Sequence, residues 1–301
     1  MSTDRFHPVT IGQRGLFEAA LSVQARWSCE CNFVNVFAWA EVYDTVHTAV
    51  AGRRIVCNRR VGKLLFPFGE WFVPETLEAV RVELSAHAVF PLAWGDVPRE
   101  YVEAHAPALH ALYDVDTTPD EDDYVLRAAD VAALAGRDHQ NTRRLIRQFG
   151  ERVPGWRVAP ITRDNLQTVR ELAVRLLVTK GLSAFTDDEA KALHRACDHF
   201  EALGLEGLVL TAADATPLAF SLFSFTTPDV CNVHFEKADR QTTGAAQAMR
   251  VSVARHLAGR CAWLNIEQDM GDPGLRRSKR SYLPERLLPR YRLTPRTEAP
   301  R

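Results

Sequence analysis

The sequence lacks most of the signals that would assign a function at once. Its 301 residues contain no Walker loop and no Rossmann glycine fingerprint, which excludes the commonest nucleotide-binding signatures. No Ser, His and Asp arrangement of the hydrolase type is evident. No run of about 18 apolar residues is present, so no segment is expected to span a membrane. The first residues hold no apolar stretch of the signal-peptide type, and we therefore expect a cytoplasmic protein.

The chain has few cysteines and a net charge close to zero. Of six cysteines only Cys29 and Cys31 lie close together, as Cys-Glu-Cys, which is not a zinc spacing. We expect reduced thiols and no metal site. The net charge is -1, so no overall basic field favours nucleic acid, and a site for a polyanion must be a local patch. Apolar residues make up 46% of the chain, enough to bury a core.

The predicted elements divide the chain into two halves. Val153-Pro154-Gly155 ends a helix and starts a turn, which predicts domains at 1–153 and 154–301. The second half reads as strand, two helices, three antiparallel strands, helix, strand, helix and strand. That order is typical of the GNAT acyltransferase fold, a mixed sheet with helices on it. The first half has a broadly similar order without a residue-level repeat. The predicted fold class is therefore α/β (α+β), with two tandem GNAT-like domains and mixed, mostly antiparallel sheets.

The element boundaries follow from hydrophobic periodicity. In the first half, strands are predicted at 54–58, 63–68, 89–94, 109–115 and 124–127. In the second half, strands are predicted at 156–159, 207–212, 217–225, 230–237, 261–267 and 290–293. Helices there are predicted at about 244–257 and at 273–279.

A short glycine-containing turn precedes the helix at 244. Gln241, Thr243, Gly244 and Ala246 fit the GNAT pattern for the pyrophosphate of acyl-CoA, because a helix start exposes N–H groups that bind anions. An ordinary capped helix whose small residues pack on the sheet explains the same residues. Both interpretations remain open.

Carboxylates cluster at two predicted strand ends. Strand alternation places Glu267 and Asn265 on one face and His234 and Glu236 on one face. Glu236, Lys237, Glu267 and Asp269 are the candidate catalytic residues, since carboxylates beside an anion site suit general-base or amine-binding work. Neutralisation of the arginines that follow explains the carboxylates equally well. His234 is interpreted as a core histidine rather than a base.

The segment after residue 275 is strongly basic. Seven cations occur between Arg276 and Arg292. They fit the phosphates of a tRNA acceptor stem or of lipid head groups, or form a solvated surface with local salt bridges. The candidate phosphate- and substrate-binding residues are Arg276, Arg277, Lys279, Arg280 and Tyr282.

Several segments, in order along the chain, resemble the C-terminal domain of phosphatidylglycerol lysyltransferases. They are 31–44, 130–149, 199–207, 234–245 and 265–282. The last two are the most specific. The resemblance implies two GNAT-like domains with the active cleft in the second, the first being degenerate. Membrane-linked members transfer an amino acid from aminoacyl-tRNA to a lipid hydroxyl, and some soluble relatives modify small molecules.

Three functions follow from these observations. The first is aminoacyl-tRNA-dependent transfer of an amino acid to a hydroxyl or amine of a lipid or small molecule, with no cofactor required. Glu236 or Asp269 would then hold the donor ammonium, Lys237 or Arg277 the oxyanion, and Glu267 would take the acceptor proton. The second is acyl-CoA-dependent N-acylation, which depends on the turn at 241–246. The third is a non-catalytic GNAT pair that binds a partner, favoured if Glu236 and Glu267 are both tied into salt bridges.

Overall fold

The computed structural model describes residues 5–89, 92–180 and 184–296, except for the side chains of 178–180 and 184–186. The chain forms two compact units, one of Met1–Asp123 with Leu288–Arg301 and the other of Tyr124–Leu287. The boundary predicted at residues 153 and 154 lies inside the second unit. The physical reason is that the strand at 123–127 pairs with 263–265, and the helix that follows it packs on the helix at 245–256.

The elements, in chain order, combine short strands with longer helices. The first unit begins with β1 (His7–Pro8), α1 (Arg14–Val23), α2 (Phe33–Ala38), α3 (Ala40–Tyr43), β2 (Thr45–Val50), β3 (Arg53–Asn58), β4 (Lys63–Leu65), α4 (Pro74–Ser85), β5 (Ala93–Pro98), α5 (Arg99–Leu112) and β6 (Tyr113–Thr117). The chain continues with β7 (Asp123–Arg127), α6 (Ala128–Ala133), α7 (Gln140–Arg152), β8 (Arg157–Pro160), α8 (Arg163–Lys180), α9 (Ala184–Asp198), β9 (Glu206–Thr211), β10 (Pro217–Thr227), β11 (Val230–Ala238), α10 (Ala245–His256), β12 (Trp263–Asn265), α11 (Pro273–Arg280), β13 (Arg286–Leu288) and β14 (Arg290–Pro295).

The two sheets repeat one strand order. Within the described residues the first sheet runs β1-β2-β3-β4-β5-β14-β6, and the second runs β8-β9-β10-β11-β12-β7-β13. In each sheet the fourth and fifth strands are parallel, β4 to β5 and β11 to β12. The first four strands of each sheet pair with one another in antiparallel fashion. The predicted fold class, tandem GNAT-like domains with mixed, mostly antiparallel sheets, is confirmed.

Several predicted boundaries are corrected. The strand predicted at 109–115 is partly helix, because α5 continues through a kink at His105 (φ -124°) to Leu112. The strand predicted at 261–267 spans only Trp263–Asn265, since Glu267 has a left-handed backbone (φ 60°). The final strand was expected in the second half. It lies instead between β5 and β6 of the first sheet.

A polar side chain without hydrogen-bond partners lies in the first unit. His47 of β2 is 3% exposed, and both of its ring nitrogens lack a partner within the part of the chain that the structure describes. Burial lowers the pKa of His47 from its usual 6.5 to about 4. The folded unit therefore holds the ring neutral, whereas the unfolded chain takes up a proton below pH 6.5.

We expect the stability of the protein to fall between pH 6.5 and pH 4 because of His47. Replacement His47→Leu should remove part of that loss. At pH 7 it should leave the free energy of unfolding unchanged or raise it by about 1 kcal/mol, since an apolar side chain of similar size leaves no polar atom unsatisfied. Urea unfolding of both proteins at pH 7 and pH 5 measures this. If the variant loses as much free energy of unfolding between pH 7 and pH 5 as the wild type does, the assignment of this loss to His47 is contradicted.

No helix among the described residues combines the length and apolar character that crossing a bilayer requires.

Candidate active site

The second sheet opens where its parallel strands stop pairing. β11 and β12 are joined over three residue pairs, the last being Asn232 with Asn265. β11 continues to Ala238. The chain after β12 bonds on its other side instead, where the N–H of Ile266 donates to the carbonyl of Tyr124. We call the residues on either side of this opening, 233–238 and 266–269, the fork. On the β12 side, backbone groups of Ile266 and Glu267 bond to Tyr124 instead of β11, so the backbone there is already satisfied.

Glu267 lies on the fork in a conformation that its neighbours fix. Its backbone is left-handed (φ 60°), a state that costs a residue other than glycine about 1–3 kcal/mol. The side chain of Asn265 accepts a hydrogen bond from the Glu267 N–H at 2.7 Å. The Asn232 amide donates to Oε1 at 3.4 Å, and Nδ1 of His234 lies 3.1 Å from the same oxygen. The side chain remains 19% exposed, so it is not sealed in the core.

His234 connects Glu267 to a buried hydroxyl. Its side chain is 0% exposed, and its Nε2 lies 2.8 Å from Oγ of Ser224 on β10. The expectation of a satisfied core histidine is confirmed as far as burial and bonding go. Because the ring also contacts Glu267, the core and active-site interpretations of His234 are compatible.

A β-bulge overturns the prediction that His234 and Glu236 share a face. Leu222 pairs with Phe235 and Phe223 pairs with Val233, which leaves His234 as an extra residue on β11. An extra residue interrupts the alternation of side chains. His234 therefore bonds to Ser224, while Glu236 pairs with Ser221, three residues away along β10 and on its other face.

Glu236 and Lys237 form ion pairs with helices. Arg250 of α10 donates from Nε to both Glu236 carboxylate oxygens, at 3.0 and 2.9 Å, and lies over the ring of Tyr282. Lys237 pairs with Glu189 of α9. Since only 11–12% of the Arg250 and Glu236 side chains is exposed, this pair stabilises the position of α10 on the sheet.

Asp269 is a second buried carboxylate near the fork. Arg276 of α11 binds it with two hydrogen bonds, at 2.7 and 2.8 Å, and the Tyr124 hydroxyl donates to it at 2.6 Å. The hydrogen bond from Arg276 is the largest effect that holds the pKa of Asp269 well below its usual value. The carboxylate is 0% exposed, so it shapes the segment after Glu267 rather than meeting solvent.

The basic segment separates into internal and exposed residues. Lys279 is buried and donates to the carbonyls of Ile266 and Gln268, which fixes the backbone of the fork. Tyr282 is also buried, beneath Arg250. Arg277 and Arg280 are exposed. Of the predicted phosphate-binding residues, these two have the geometry for surface contact with an anion.

The turn at 239–244 uses several of its donors in bonds to Asp239. The Asp239 carboxylate accepts from the N–H of Gln241 at 2.9 Å and from the Thr242 hydroxyl at 3.1 Å. A carboxylate at this place repels a pyrophosphate. Gly244 has φ 95°, and a Cβ there would lie 2.3 Å from the carbonyl oxygen of Leu145. Its small size is therefore required by packing against α7, whether or not a ligand binds the turn.

The corresponding position in the first unit is closed by ion pairs. Asp96 follows the parallel pair β4–β5, as Glu267 follows β11–β12, and it also has a left-handed backbone (φ 55°). Asp96 is 4% exposed and contacts Arg26, Arg290 and the Ser28 hydroxyl. A carboxylate held in this way has no face left for a substrate, so the second unit carries the candidate site.

Sequence reasoning identified Glu267 and Asp269 but missed Ser224, Asn232 and Tyr124. A signal for Ser224 and Asn232 exists, because each is a polar residue inside an otherwise apolar strand, and buried polar groups require partners. Tyr124 gave no comparable signal. Among the described residues, no group of three or more His, Cys, Asp or Glu side chains is arranged to hold a metal ion.

The family model for the C-terminal part of phosphatidylglycerol lysyltransferases matches residues 23–294. The chain belongs to this family. No match is found among curated protein sequences. The family and the fold place the chain among transferases of the acyl or aminoacyl kind.

Solved structures similar to this family member show the same two-unit fold. A conserved protein of unknown function from Bacteroides thetaiotaomicron matches with a TM-score of 0.86 and 24% identity over 97% of this chain and 99% of that chain. L-PGS from Bacillus licheniformis matches with a TM-score of 0.67 and 13% identity over 99% and 95%. A tandem GNAT protein from the clavulanic acid biosynthesis pathway matches with a TM-score of 0.50 and 10% identity over 97% and 99%.

Proposed function

We propose that this protein transfers an aminoacyl group from aminoacyl-tRNA to an amine or hydroxyl of a small molecule or lipid. Glu267 acts as the general base. The observation that carries the proposal is the side chain of Glu267, whose carboxylate bonds to Asn232 and His234 at the fork and which is 19% exposed. A general base must be held within hydrogen-bond reach of the acceptor, and a fixed, accessible carboxylate meets that requirement.

The proposed reaction is a single displacement at the ester carbonyl. The acceptor nitrogen or oxygen attacks the carbonyl carbon of the aminoacyl ester, and its proton passes to Glu267. The bond from carbon to the ribose oxygen of the tRNA then breaks, and the proton is delivered to that leaving oxygen. The ester is already activated, so the protein has to supply position and proton transfer.

The turn at 239–244 supports aminoacyl-tRNA over acyl-CoA as the donor. Asp239 occupies donors of that turn, and its charge opposes a pyrophosphate. The exposed Arg277 and Arg280 of α11 follow the fork in sequence and supply cations for the phosphates of an acceptor stem. Asp269, Glu236 and Lys237 serve in this proposal as supports of the fork, because each is ion-paired to a neighbouring helix or segment.

The non-catalytic alternative is favoured by one of its two expected signs. Glu236 is tied into a salt bridge with Arg250, as that alternative requires. Glu267, however, bonds to the imidazole of His234 and the amide of Asn232 and remains accessible. A carboxylate held at a strained backbone position by side chains from β11 and β12 favours catalysis instead.

Thermal unfolding in the presence of candidate donors tests the proposal. We expect bulk aminoacylated tRNA to raise the melting temperature, since a ligand that binds only the folded state stabilises it. The shift should exceed that with uncharged tRNA and should shrink between about 50 and 200 mM salt. Acetyl-CoA at millimolar concentration should give no shift. Stabilisation by acetyl-CoA alone would overturn the proposed donor.

A further inference from the structure

Three side chains form a hydrogen-bonded series that ends at the proposed base. Ser224 Oγ lies 2.8 Å from His234 Nε2, and His234 Nδ1 lies 3.1 Å from Glu267 Oε1. Ser224 and His234 are both buried, whereas the Glu267 side chain is 19% exposed. Glu267 is therefore the most accessible of the three.

The order of burial distinguishes this series from a hydrolase triad. In such a triad the serine meets the substrate and the carboxylate is the buried member that orients the histidine. Here the Glu267 side chain is the most exposed of the three, and the serine lies within β10, opposite Asn232 on β11. The same chemical groups thus run in the reverse direction, with the hydroxyl in the interior.

The direction of each hydrogen bond follows from the chemistry of the groups. A carboxylate oxygen of Glu267 only accepts, so Nδ1 of His234 must carry a proton to donate to it. Nε2 of the neutral ring is then an acceptor, and the Ser224 hydroxyl donates to it. The charged carboxylate thus sets the tautomer, while the Ser224 hydroxyl bonds the far side of the ring and limits its rotation.

We propose that Ser224 is a positioning residue, which holds the His234 ring in the orientation that directs its Nδ1–H at Glu267. The inference rests on the proposed function for its catalytic consequence, but the orientation of the ring is independent of any substrate. In metal sites, outer groups that fix the orientation of a histidine ring contribute about 10–100-fold to activity, and we expect an effect of that size. Ser224 forms no bond to the aminoacyl group in this account.

The chain offers a closely matched control. Ser221 lies on the same strand, is 0% exposed, and has no hydrogen-bond partner for its hydroxyl among the described residues. Its side chain is on the opposite face from Ser224. Ser221→Ala therefore removes a buried hydroxyl from β10 without touching His234, and Ser224→Thr keeps a hydroxyl at the tested position.

The experiment combines nitrogen NMR of the His234 ring with kinetics of aminoacyl transfer. The wild type, Ser221→Ala and Ser224→Thr should show an Nδ1 proton that exchanges slowly with water, whereas Ser224→Ala should show faster exchange, because its ring is free to turn away from Glu267. With a labelled aminoacyl-tRNA donor, Ser224→Ala should lower kcat by about 10–100-fold while KM changes little. Ser224→Thr should restore most of that loss.

Two results would overturn the inference. One is an unchanged exchange rate of the Nδ1 proton in Ser224→Ala, which shows that the hydroxyl does not hold the ring. The other is complete loss of transfer in Ser224→Ala, together with a covalent aminoacyl-serine in the wild type, which makes Ser224 a nucleophile. If the wild type transfers no aminoacyl group, the proposed function fails, and the NMR comparison still decides whether Ser224 controls His234.

Discussion

Replacing Glu267 by glutamine is expected to slow aminoacyl transfer by about 10²–10⁴-fold, the range that a general base contributes. The amide oxygen of glutamine can still accept from Asn232 and His234, whose nitrogens lie 3.4 and 3.1 Å from Oε1 in the native protein. The fold should therefore remain, while the ability to take a proton is lost. The measurement is the rate at which labelled aminoacyl-tRNA is consumed with an acceptor present.

The control for this variant is a carboxylate of the same unit that lies outside the fork. Glu285 is about half exposed and pairs with Arg127, so Glu285→Gln should leave the rate unchanged. Both variants should unfold within about 1 kcal/mol of the wild type, because surface and isosteric changes of this kind have small effects. A Glu267→Gln protein that keeps a third or more of the native rate would contradict the role of Glu267 as the base.

The second large effect is expected on stability. Arg290 of β14 is 2% exposed and lies among the carboxylates of Asp123, Asp96 and Glu30. It also donates to Sγ of Cys29 at 3.1 Å. Replacement Arg290→Met removes the positive charge and leaves Asp123, itself 0% exposed, without that partner. Loss of one member of a buried ion pair costs about 3–5 kcal/mol.

Denaturant unfolding measures this loss, and Arg292→Met provides the comparison. Arg292 is on the same strand, exposed and paired in register with Asp116 of β6. Its replacement should cost less than about 1 kcal/mol. Hydrogen exchange should place the destabilisation caused by Arg290→Met in residues of the first unit. Equal stability of the two variants would show that the buried charges do not hold β14 in the first sheet.

The fold class could be predicted from sequence because the elements of the second half have strong periodicity. β10, β11 and α10 lie within two residues of their predicted bounds. Long-range pairing was not predictable in the same way. Nothing local in 290–295 indicates that this strand enters the first sheet beside β5, since its partners are distant in sequence.

The candidate site shows the same division between local and long-range information. Glu267 could be named because it stood at the end of a recognisable strand, predicted at 261–267. The bulge at His234 could not be predicted, because a single extra residue leaves the hydrophobic pattern of β11 almost unchanged. The same residue alters which side chains share a face. Arg290 was counted in the sequence among the cations of a basic segment, for which phosphate binding and a solvated surface were both open. Its burial depends on Asp96 and Asp123, which only the fold brings to it.

A single-turnover comparison of donors tests the central claim most directly. Excess protein is mixed with bulk tRNA that carries labelled amino acids or with labelled acetyl-CoA. Glycerol, ethanolamine and phosphatidylglycerol vesicles are supplied as acceptors. Our account predicts that the aminoacyl ester is consumed faster than in buffer and that the label appears on an acceptor, with no transfer from acetyl-CoA. Transfer of the acetyl group, with the aminoacyl-tRNA left intact at the rate seen in buffer, would contradict it.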